Sequence, residues 1–306
     1  IGIPLTILEA SSGNLTDRGP VGTFRRINPR WGPGVGWFLV AMMVGIMSYY
    51  FVVSGWTLGY AIDAFQGALK PFDEFTSGFA SVWLYPLVTV LVLAVLVRGV
   101  RGIERTSRFL FPLLVVTVGG LALYSQSLPG ARQALDFYFN FDLRTFREPR
   151  TWQMAAGQAF YSLSIGQGLV ITYGSYIPRG VNIVSSSSAV AATNSAVSLT
   201  AGLMVFPIVF TFGMALDMGS QLSFTAFTAI FSGLSGGWLI GIAFFSLLFV
   251  AAFTSCSGGM MVALASFRDE FRLPRALAAL IVVGVVALLA IPSALSFPSV
   301  GLMISG

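Results

Sequence analysis

Histidine is absent from the 306-residue sequence, cysteine occurs once, and charged residues make up only 9% of the chain. Without histidine there is neither a histidine proton relay nor a histidine metal site. The single Cys256 cannot form an internal disulfide. We also find no nucleophile–base pair, no phosphate-binding glycine loop and no cluster of metal-ligating side chains, so the sequence disfavours an enzyme.

Apolar residues in membrane-length runs make up most of the chain. Hydrophobic residues account for 56% of the sequence and the mean hydropathy is +0.83, as in polytopic membrane proteins. A span needs about 20 residues, and residues 1–13 have the character of the end of one. Further membrane helices are predicted at residues 35–66, 82–98, 107–128, 152–178, 185–216, 237–267 and 274–292.

The chain begins at Ile1 inside an apolar run, without methionine or a signal-peptide pattern, and stops at Gly306 without a polar tail. We therefore expect a single transmembrane domain over residues 1–306 that is truncated at both ends.

Lysine and arginine divide unevenly between the two sides of the predicted helices. Twelve of the 17 fall on one side, which the positive-inside rule places in the cytoplasm. These are Arg18, Arg25, Arg26, Arg30, Arg98, Arg101, Arg105, Arg108, Arg179, Arg268, Arg272 and Arg275. The isoelectric point of 9.7 reflects this topology, and no nucleic-acid partner is expected.

Residues 158–176 are apolar and membrane-length, but their middle reads Ser162-Leu163-Ser164-Ile165-Gly166-Gln167-Gly168. Irregular backbone within a bilayer is tolerated only where it lines a cavity or site. Glycines relax the backbone, and the freed carbonyls and hydroxyls can bind an ion or a polar solute. The segment therefore predicts a broken helix with a binding site at the midplane. The alternative is close helix packing through the same small residues.

A second polar group lies in the 237–267 helix. Ala251, Thr254 and Ser255 are spaced i, i+3 and i+4 and share one face. Two hydroxyls and a carbonyl form the oxygen cluster that hard cations prefer. The alternative, which spacing alone favours, is that each hydroxyl bonds to a carbonyl of its own helix.

Three further polar side chains lie within apolar runs. Tyr50 is about midway along the 35–66 helix, where its hydroxyl can donate to a substrate carboxylate. Glu9 is the only acid inside an apolar run and is either a functional carboxylate within the membrane or a residue near a membrane end. Asn194, in the 185–216 helix, is likewise either a functional polar group within the membrane or a residue near a membrane end.

Taken together, these segments resemble the neurotransmitter:sodium symporter family. The motifs occur in the family's order over nearly the whole chain: Gly2-Ile3-Pro4-Leu5 with Glu9, Ser48-Tyr49-Tyr50 with Ser54-Gly55-Trp56-Thr57-Leu58, Phe160-Tyr161-Ser162-Leu163-Ser164-Ile165-Gly166 through Ser175-Tyr176, Thr193-Asn194, and Thr254-Ser255 through Asp269-Glu270. The resemblance implies an all-α polytopic membrane protein with a leucine-transporter-type inverted-repeat fold. The chain would be one transporter domain from helix 2 to helix 9, without helix 1 and without helices 10 onward.

The resemblance also implies which residues bind ions and substrate. The first sodium site would use Ser162 and Asn194, and the second would use the Ala251 carbonyl with Thr254 and Ser255. The implied substrate-binding residues are Ile46, Tyr50, Tyr161, Ser162, Ser164, Gln167, Ser255 and Gly259. Among these, Tyr50 would hold the substrate carboxylate and Tyr161 would be an outer lid. Tyr176 and Asp269 resemble parts of the cytoplasmic gate, whose arginine partner would precede Ile1.

Three positions carry more information about substrate and ions. Gly259 occupies a position where the leucine-type member has a bulky aliphatic residue, so we expect a larger cavity that accepts aromatic or branched side chains. Gln167 adds an amide in place of the usual aromatic residue or methionine. Ser198 follows Asn194 by one turn, where chloride-independent relatives tend to have an acid. The implied chloride-binding residues are Gln158, Ser162, Asn194 and Ser198.

The sequence thus predicts sodium-coupled symport of an amino acid or related zwitterion across the plasma membrane by a multi-pass protein, with chloride dependence open. Ion and solute would share ligands, so that each binds weakly alone. No organic cofactor is expected, the partners are a small-molecule substrate and the bilayer, and the oligomeric state is open. The alternatives are a channel, a proton-driven or exchange permease of the same fold, and a transport-inactive receptor; a channel is disfavoured because charged rings and a filter sequence are lacking.

Overall fold

The computed structural model describes residues 2–98, 100–140, 142–214, 221–233 and 237–296, and these residues form helices joined by short connections. The helices are α1 (Gly2–Thr16), α2 (Pro20–Ile27), α3 (Gly32–Gln66), α4 (Phe72–Ser77), α5 (Ala80–Arg98), α6 (Val100–Ser125), α7 (Ala131–Tyr138), α8 (Pro149–Ser162), α9 (Leu169–Gly174), α10 (Ile183–Phe212), α11 (Gln221–Gly233), α12 (Gly237–Phe271) and α13 (Arg275–Leu295). A 3₁₀ helix precedes α8 at Leu143–Arg147. Among these, α3, α5, α10, α12 and α13 are long and apolar enough to cross a membrane.

The predicted segment 152–178 is two helices, because α8 ends at Ser162 and α9 begins at Leu169. The predicted break in this segment is therefore present.

The arginine-rich stretch at 98–108 was expected to be a loop, and this prediction is wrong. Helix α6 begins at Val100, seven residues before the predicted start at 107. Arginine is a good helix former, and hydropathy detects only the apolar part of a helix that continues beyond the hydrocarbon region. The side chains of Arg101 and Arg105 lie outside the described part of the structure.

Helices α3 and α12, with 35 residues each, pack against each other and form the centre of the molecule. Towards the predicted outer side, the buried rings of Trp56, Tyr60 and Phe245 belong to one aromatic cluster with the short helices α4 and α11. Towards the predicted cytoplasmic side, α2, α5 and α13 cover the two central helices. Side-chain packing of this kind stabilises helices in lipid, where water supplies no driving force.

Two helix pairs approach so closely that only glycine fits between them. A Cβ at Gly13 of α1 would overlap the carbonyl oxygen of Ile171, and a Cβ at Gly174 of α9 would overlap that of Ala10. Likewise, a Cβ at Gly32 of α3 would overlap the carbonyl oxygen of Phe24 in α2. The pairs α1–α9 and α2–α3 are thus each held backbone against backbone.

The connection between these two pairs is short. Residues 17–19 join α1 to α2, and Asp17 within them adopts the left-handed conformation with φ of 53°. Asn14, near the end of α1, donates its side-chain amide to the carbonyl of Ile177 at 2.7 Å, which fixes the chain just beyond α9.

Candidate functional site

The break between α8 and α9 is built from residues with positive φ. Gly166 and Gly168 both have φ of 75°, a conformation that glycine adopts without steric cost, and Ser164 has φ of 55°. A Cβ at Gly168 would also lie 2.8 Å from Cγ of Pro20. Gly166 therefore serves the break itself, whereas Gly168 serves both the break and a close contact with Pro20. Close packing also applies to Gly174, in the helix beyond the break.

Glu9 faces the break from α1. Its Oε1 accepts a hydrogen bond from the backbone N–H of Gly166 at 2.7 Å. Its buried Oε2 has no hydrogen-bond partner among the described residues. An ionised acceptor makes a strong hydrogen bond with a backbone amide that a helix would otherwise satisfy. Of the two alternatives for Glu9, the geometry favours a role at the break.

A cavity of about 480 Å³ lies between α3, the break and α12. All eight residues predicted to bind substrate line it: Ile46, Tyr50, Tyr161, Ser162, Ser164, Gln167, Ser255 and Gly259. Tyr50 of α3 and Ser255 of α12 both line this cavity. Tyr161 is 70% exposed, as a residue at the cavity mouth should be. The break and the two central helices thus bring the predicted set together, although its role in binding stays a prediction.

Several apolar lining residues escaped the sequence analysis, namely Met43, Met47, Leu169, Tyr173 and Gly258. Apolar side chains on a membrane helix are not distinguishable by type from those that face lipid or core. A signal was nevertheless available, because positions 43, 46, 47 and 50 are spaced i, i+3, i+4 and i+7 and so share one face.

The expected enlargement of the cavity at Gly259 is not seen. A Cβ at this position would lie 2.6 Å from Sδ of Met47 and 3.2 Å from Sδ of Met43. The prediction considered position 259 alone, whereas side chains from the facing helix α3 fill the volume that glycine leaves.

The oxygen cluster in α12 is present, but its hydroxyls are occupied. Thr254 and Ser255 both donate to the carbonyl oxygen of Ala251, each at 2.9 Å. The alternative of back-bonding within the helix is therefore realised at both hydroxyls. Three oxygens nonetheless converge at one turn, and each hydroxyl oxygen retains lone pairs that can face a cation.

The residues predicted for the first sodium site are also adjacent. Asn194 donates its Nδ2 to Oγ of Ser162 at 3.2 Å. A second cavity, of about 750 Å³, lies between α1, α8 and α10 and is lined by all four predicted chloride-binding residues, Gln158, Ser162, Asn194 and Ser198. Ser162 lines both this cavity and the first one.

Of the predicted cytoplasmic gate residues, Asp269 lies near the end of α12 and Tyr176 follows α9. Oδ2 of Asp269 accepts a hydrogen bond from the backbone N–H of Gly19 at 3.0 Å. Tyr176 lies two residues beyond the end of α9 and is 43% exposed.

The sequence analysis missed the ion pair between Arg25 of α2 and Glu270, whose side chain is 7% exposed. The two residues are too far apart in the chain for any local pattern to join them. Together with the Gly19–Asp269 hydrogen bond, this pair connects α2 to α12 on the cytoplasmic side.

Comparison with known proteins gives the family. Residues 1–82 and 75–304 match the sodium:neurotransmitter symporter family. A sodium-dependent transporter of Haemophilus influenzae is 30% identical over 311 residues, which cover 94% of this chain and 68% of that protein. The sodium-dependent transporter YhdH of Bacillus subtilis is 34% identical over 259 residues, which cover 80% of this chain and only 56% of YhdH.

The fold is similar to that of a solved structure, MhsT in complex with L-phenylalanine. The TM-score is 0.92 at 33% sequence identity, and the match covers 100% of this chain and 72% of that chain. The predicted all-α membrane fold of leucine-transporter type is therefore confirmed, and so is the resemblance on which it rested. The chain belongs to the sodium:neurotransmitter symporter family and is a multi-pass protein of the plasma membrane.

Proposed function

We propose that this protein carries an amino acid into the cell together with sodium ions, by alternating access. The observation that carries the proposal is the cavity at the break, where eight predicted substrate-binding residues from three chain segments converge. L-phenylalanine bound to the similar protein MhsT supports an amino acid as substrate. The names of the relatives, which are sodium-dependent transporters, support sodium as the coupling ion.

The polar and apolar walls of the cavity suit a hydrophobic amino acid. Tyr50 offers a hydroxyl donor to the substrate carboxylate, and backbone groups of the break can bind its ammonium group. The rest of the lining includes Ile46, Leu169 and the two methionines of α3, which offer an apolar surface to the side chain. A hydrophobic α-amino acid therefore fits the cavity, with its charged groups at the polar wall and its side chain at the apolar wall.

Coupling follows from residues that serve two sites. Ser255 lines the substrate cavity and belongs to the predicted second sodium site, and Ser162 lines the substrate cavity and bonds to Asn194 of the predicted first site. Sodium bound at either site would orient a hydroxyl that also faces the substrate. Each ligand then increases the affinity for the other, as reciprocal coupling requires.

Uptake of labelled L-phenylalanine by the full-length protein in proteoliposomes tests the proposal. We expect saturable accumulation under an inward sodium gradient and little uptake when choline replaces sodium. Equal uptake in choline would favour a proton-driven or exchange permease, and ohmic, non-saturating ion current would favour a channel. Either outcome contradicts sodium-coupled symport.

A further inference from the structure

Methionine sulfur fills the part of the substrate cavity that faces Gly259. Met43 and Met47 lie on α3, one turn apart, and are only 2% and 6% exposed. Their sulfur atoms would be 3.2 and 2.6 Å from a Cβ at Gly259. A glycine on α12 is thus matched by two long, flexible side chains on α3, and all three residues line the cavity.

We infer that Met43 and Met47 determine which substrate side chains the protein accepts, by acting as a deformable wall. Methionine is unbranched and has three rotatable side-chain bonds, so it fills irregular space and changes rotamer at low cost. The absent side chain at Gly259 supplies the space that the thioethers occupy in the structure. This inference rests on the proposed function, because it concerns the substrate of that same cavity.

The position of the methionines along α3 places them beside the substrate side chain. At a rise of 1.5 Å per residue, Met47 lies roughly 4.5 Å and Met43 roughly 10.5 Å from Tyr50 along the helix axis. With the carboxylate at Tyr50, the substrate side chain reaches past Met47 towards Met43. The polar end of the substrate therefore meets fixed hydroxyls, while its apolar end meets adjustable thioethers.

The inference predicts that substitutions at Met47 and at Gly259 shift the substrate specificity in opposite directions. Met47→Ala removes part of the wall and should raise the affinity for L-tryptophan relative to L-alanine by about 10-fold or more, the scale of discrimination that small volume changes produce in apolar pockets. Gly259→Ala pushes the Met47 thioether into the cavity and should lower the same ratio. The double variant should return towards the parent ratio, since the new methyl group occupies vacated space.

Competition of L-tryptophan, L-phenylalanine, L-leucine and L-alanine against a labelled substrate, in the full-length protein in proteoliposomes, measures these ratios. Met260→Ala is the matched control, because Met260 adjoins Gly259 in sequence and belongs to the same buried cluster as Met43 and Met47 but does not line the cavity. We expect this control to lower stability and leave the ratios unchanged.

Met47→Leu keeps the inference testable where the alanine variants do not fold. Leucine has a similar volume but is branched and stiffer, so the range of accepted side chains should narrow, with L-tryptophan losing about 10-fold relative to L-leucine. Ratios that stay unchanged in Met47→Leu, or in Met47→Ala and Gly259→Ala, while transport persists would overturn the inference and leave the proposed function intact. A parent protein that takes up none of the four amino acids would overturn both.

Discussion

Thr254 and Ser255 are successive residues of helix α12. Both hydroxyls donate to the same acceptor, the carbonyl oxygen of Ala251. Ser257, two residues further, makes the same kind of bond to the carbonyl of Phe253 at 2.9 Å. The difference lies in their surroundings, because Thr254 and Ser255 line the substrate cavity and Ser257 is fully buried. A sodium ion can therefore reach the first pair of hydroxyls from the cavity.

Replacing Thr254 with valine should weaken sodium binding. The change keeps the shape of the side chain and removes one oxygen ligand, a loss of about 1–3 kcal/mol, or roughly 5- to 150-fold in affinity. The half-saturating sodium concentration for substrate binding measures the effect. Ser257→Ala is the control and should leave this concentration unchanged, and an unchanged value for Thr254→Val would count against a sodium site at this turn.

Replacing Tyr50 with phenylalanine should weaken substrate binding at constant sodium. Loss of a hydrogen bond to a charged group costs about 1.5–3 kcal/mol, or roughly 10- to 150-fold in affinity. Equilibrium binding of labelled L-phenylalanine gives the change directly. Tyr49→Phe is the control, because Tyr49 is 44% exposed and lies edge-on to Trp56 outside the cavity lining. Equal affinities for the two variants would remove Tyr50 from the proposed carboxylate site.

At the scale of helices, the contact between α1 and α9 joins the break to the rest of the molecule. The backbones touch at Gly13 and Gly174, and Glu9 of α1 binds the Gly166 amide within the break. One face of α1 therefore fixes both the helix beyond the break and the break itself.

Gly174→Ala should destabilise this helix pair. The added methyl group overlaps the carbonyl oxygen of Ala10, and relief by backbone movement costs on the order of 1–3 kcal/mol. Thermal unfolding in detergent should show a melting temperature several degrees lower. Gly157→Ala in α8 is the matched control, since a Cβ there meets nothing within 4 Å, and it should be neutral or slightly stabilising. Equal melting temperatures for the two variants would contradict tight α1–α9 packing.

The sequence predicts some elements well and others not at all. The break is visible because Gly166 and Gly168 interrupt a membrane-length run with residues that relax the backbone. Helix α2 is not visible, because its eight residues lie in an arginine-rich segment far below spanning length, and its buried face, including Val21, meets a helix only in three dimensions. Likewise, no local pattern shows that Met47 compensates for Gly259, since the two residues belong to different helices.

At the scale of the whole molecule, charge balance decides whether transport needs an anion in addition to sodium. If two sodium ions enter with a zwitterion, they bring more positive charge into the membrane than the single Glu9 carboxylate at the break can balance, and an unpaired charge there is costly. The cavity lined by Gln158, Ser162, Asn194 and Ser198 offers amide and hydroxyl donors to an anion.

Replacing chloride with gluconate should therefore reduce sodium-driven uptake several-fold. Ser198→Glu should make uptake independent of chloride, because a fixed carboxylate in the same cavity supplies the missing negative charge. Initial rates of L-phenylalanine uptake in the two salts provide the measurement for both proteins. Ser195→Glu, on the same helix and lining the same cavity, tests whether the position of the new carboxylate matters. Parent rates that do not depend on the anion would rule out chloride coupling.

The close fit of Pro20 beneath Gly168 has a mechanical consequence. In the proposed alternating access, a path from the cavity to the cytoplasm would require α9 to move away from Pro20, and α1 would move with α9 because their backbones are in contact. Helix α2 would keep its position, because its backbone packs against α3 and Arg25 forms an ion pair with Glu270 of α12. The change in backbone conformation between the moving and the fixed helices would then fall on Asp17, Arg18 and Gly19, which we expect to be the hinge of inward opening.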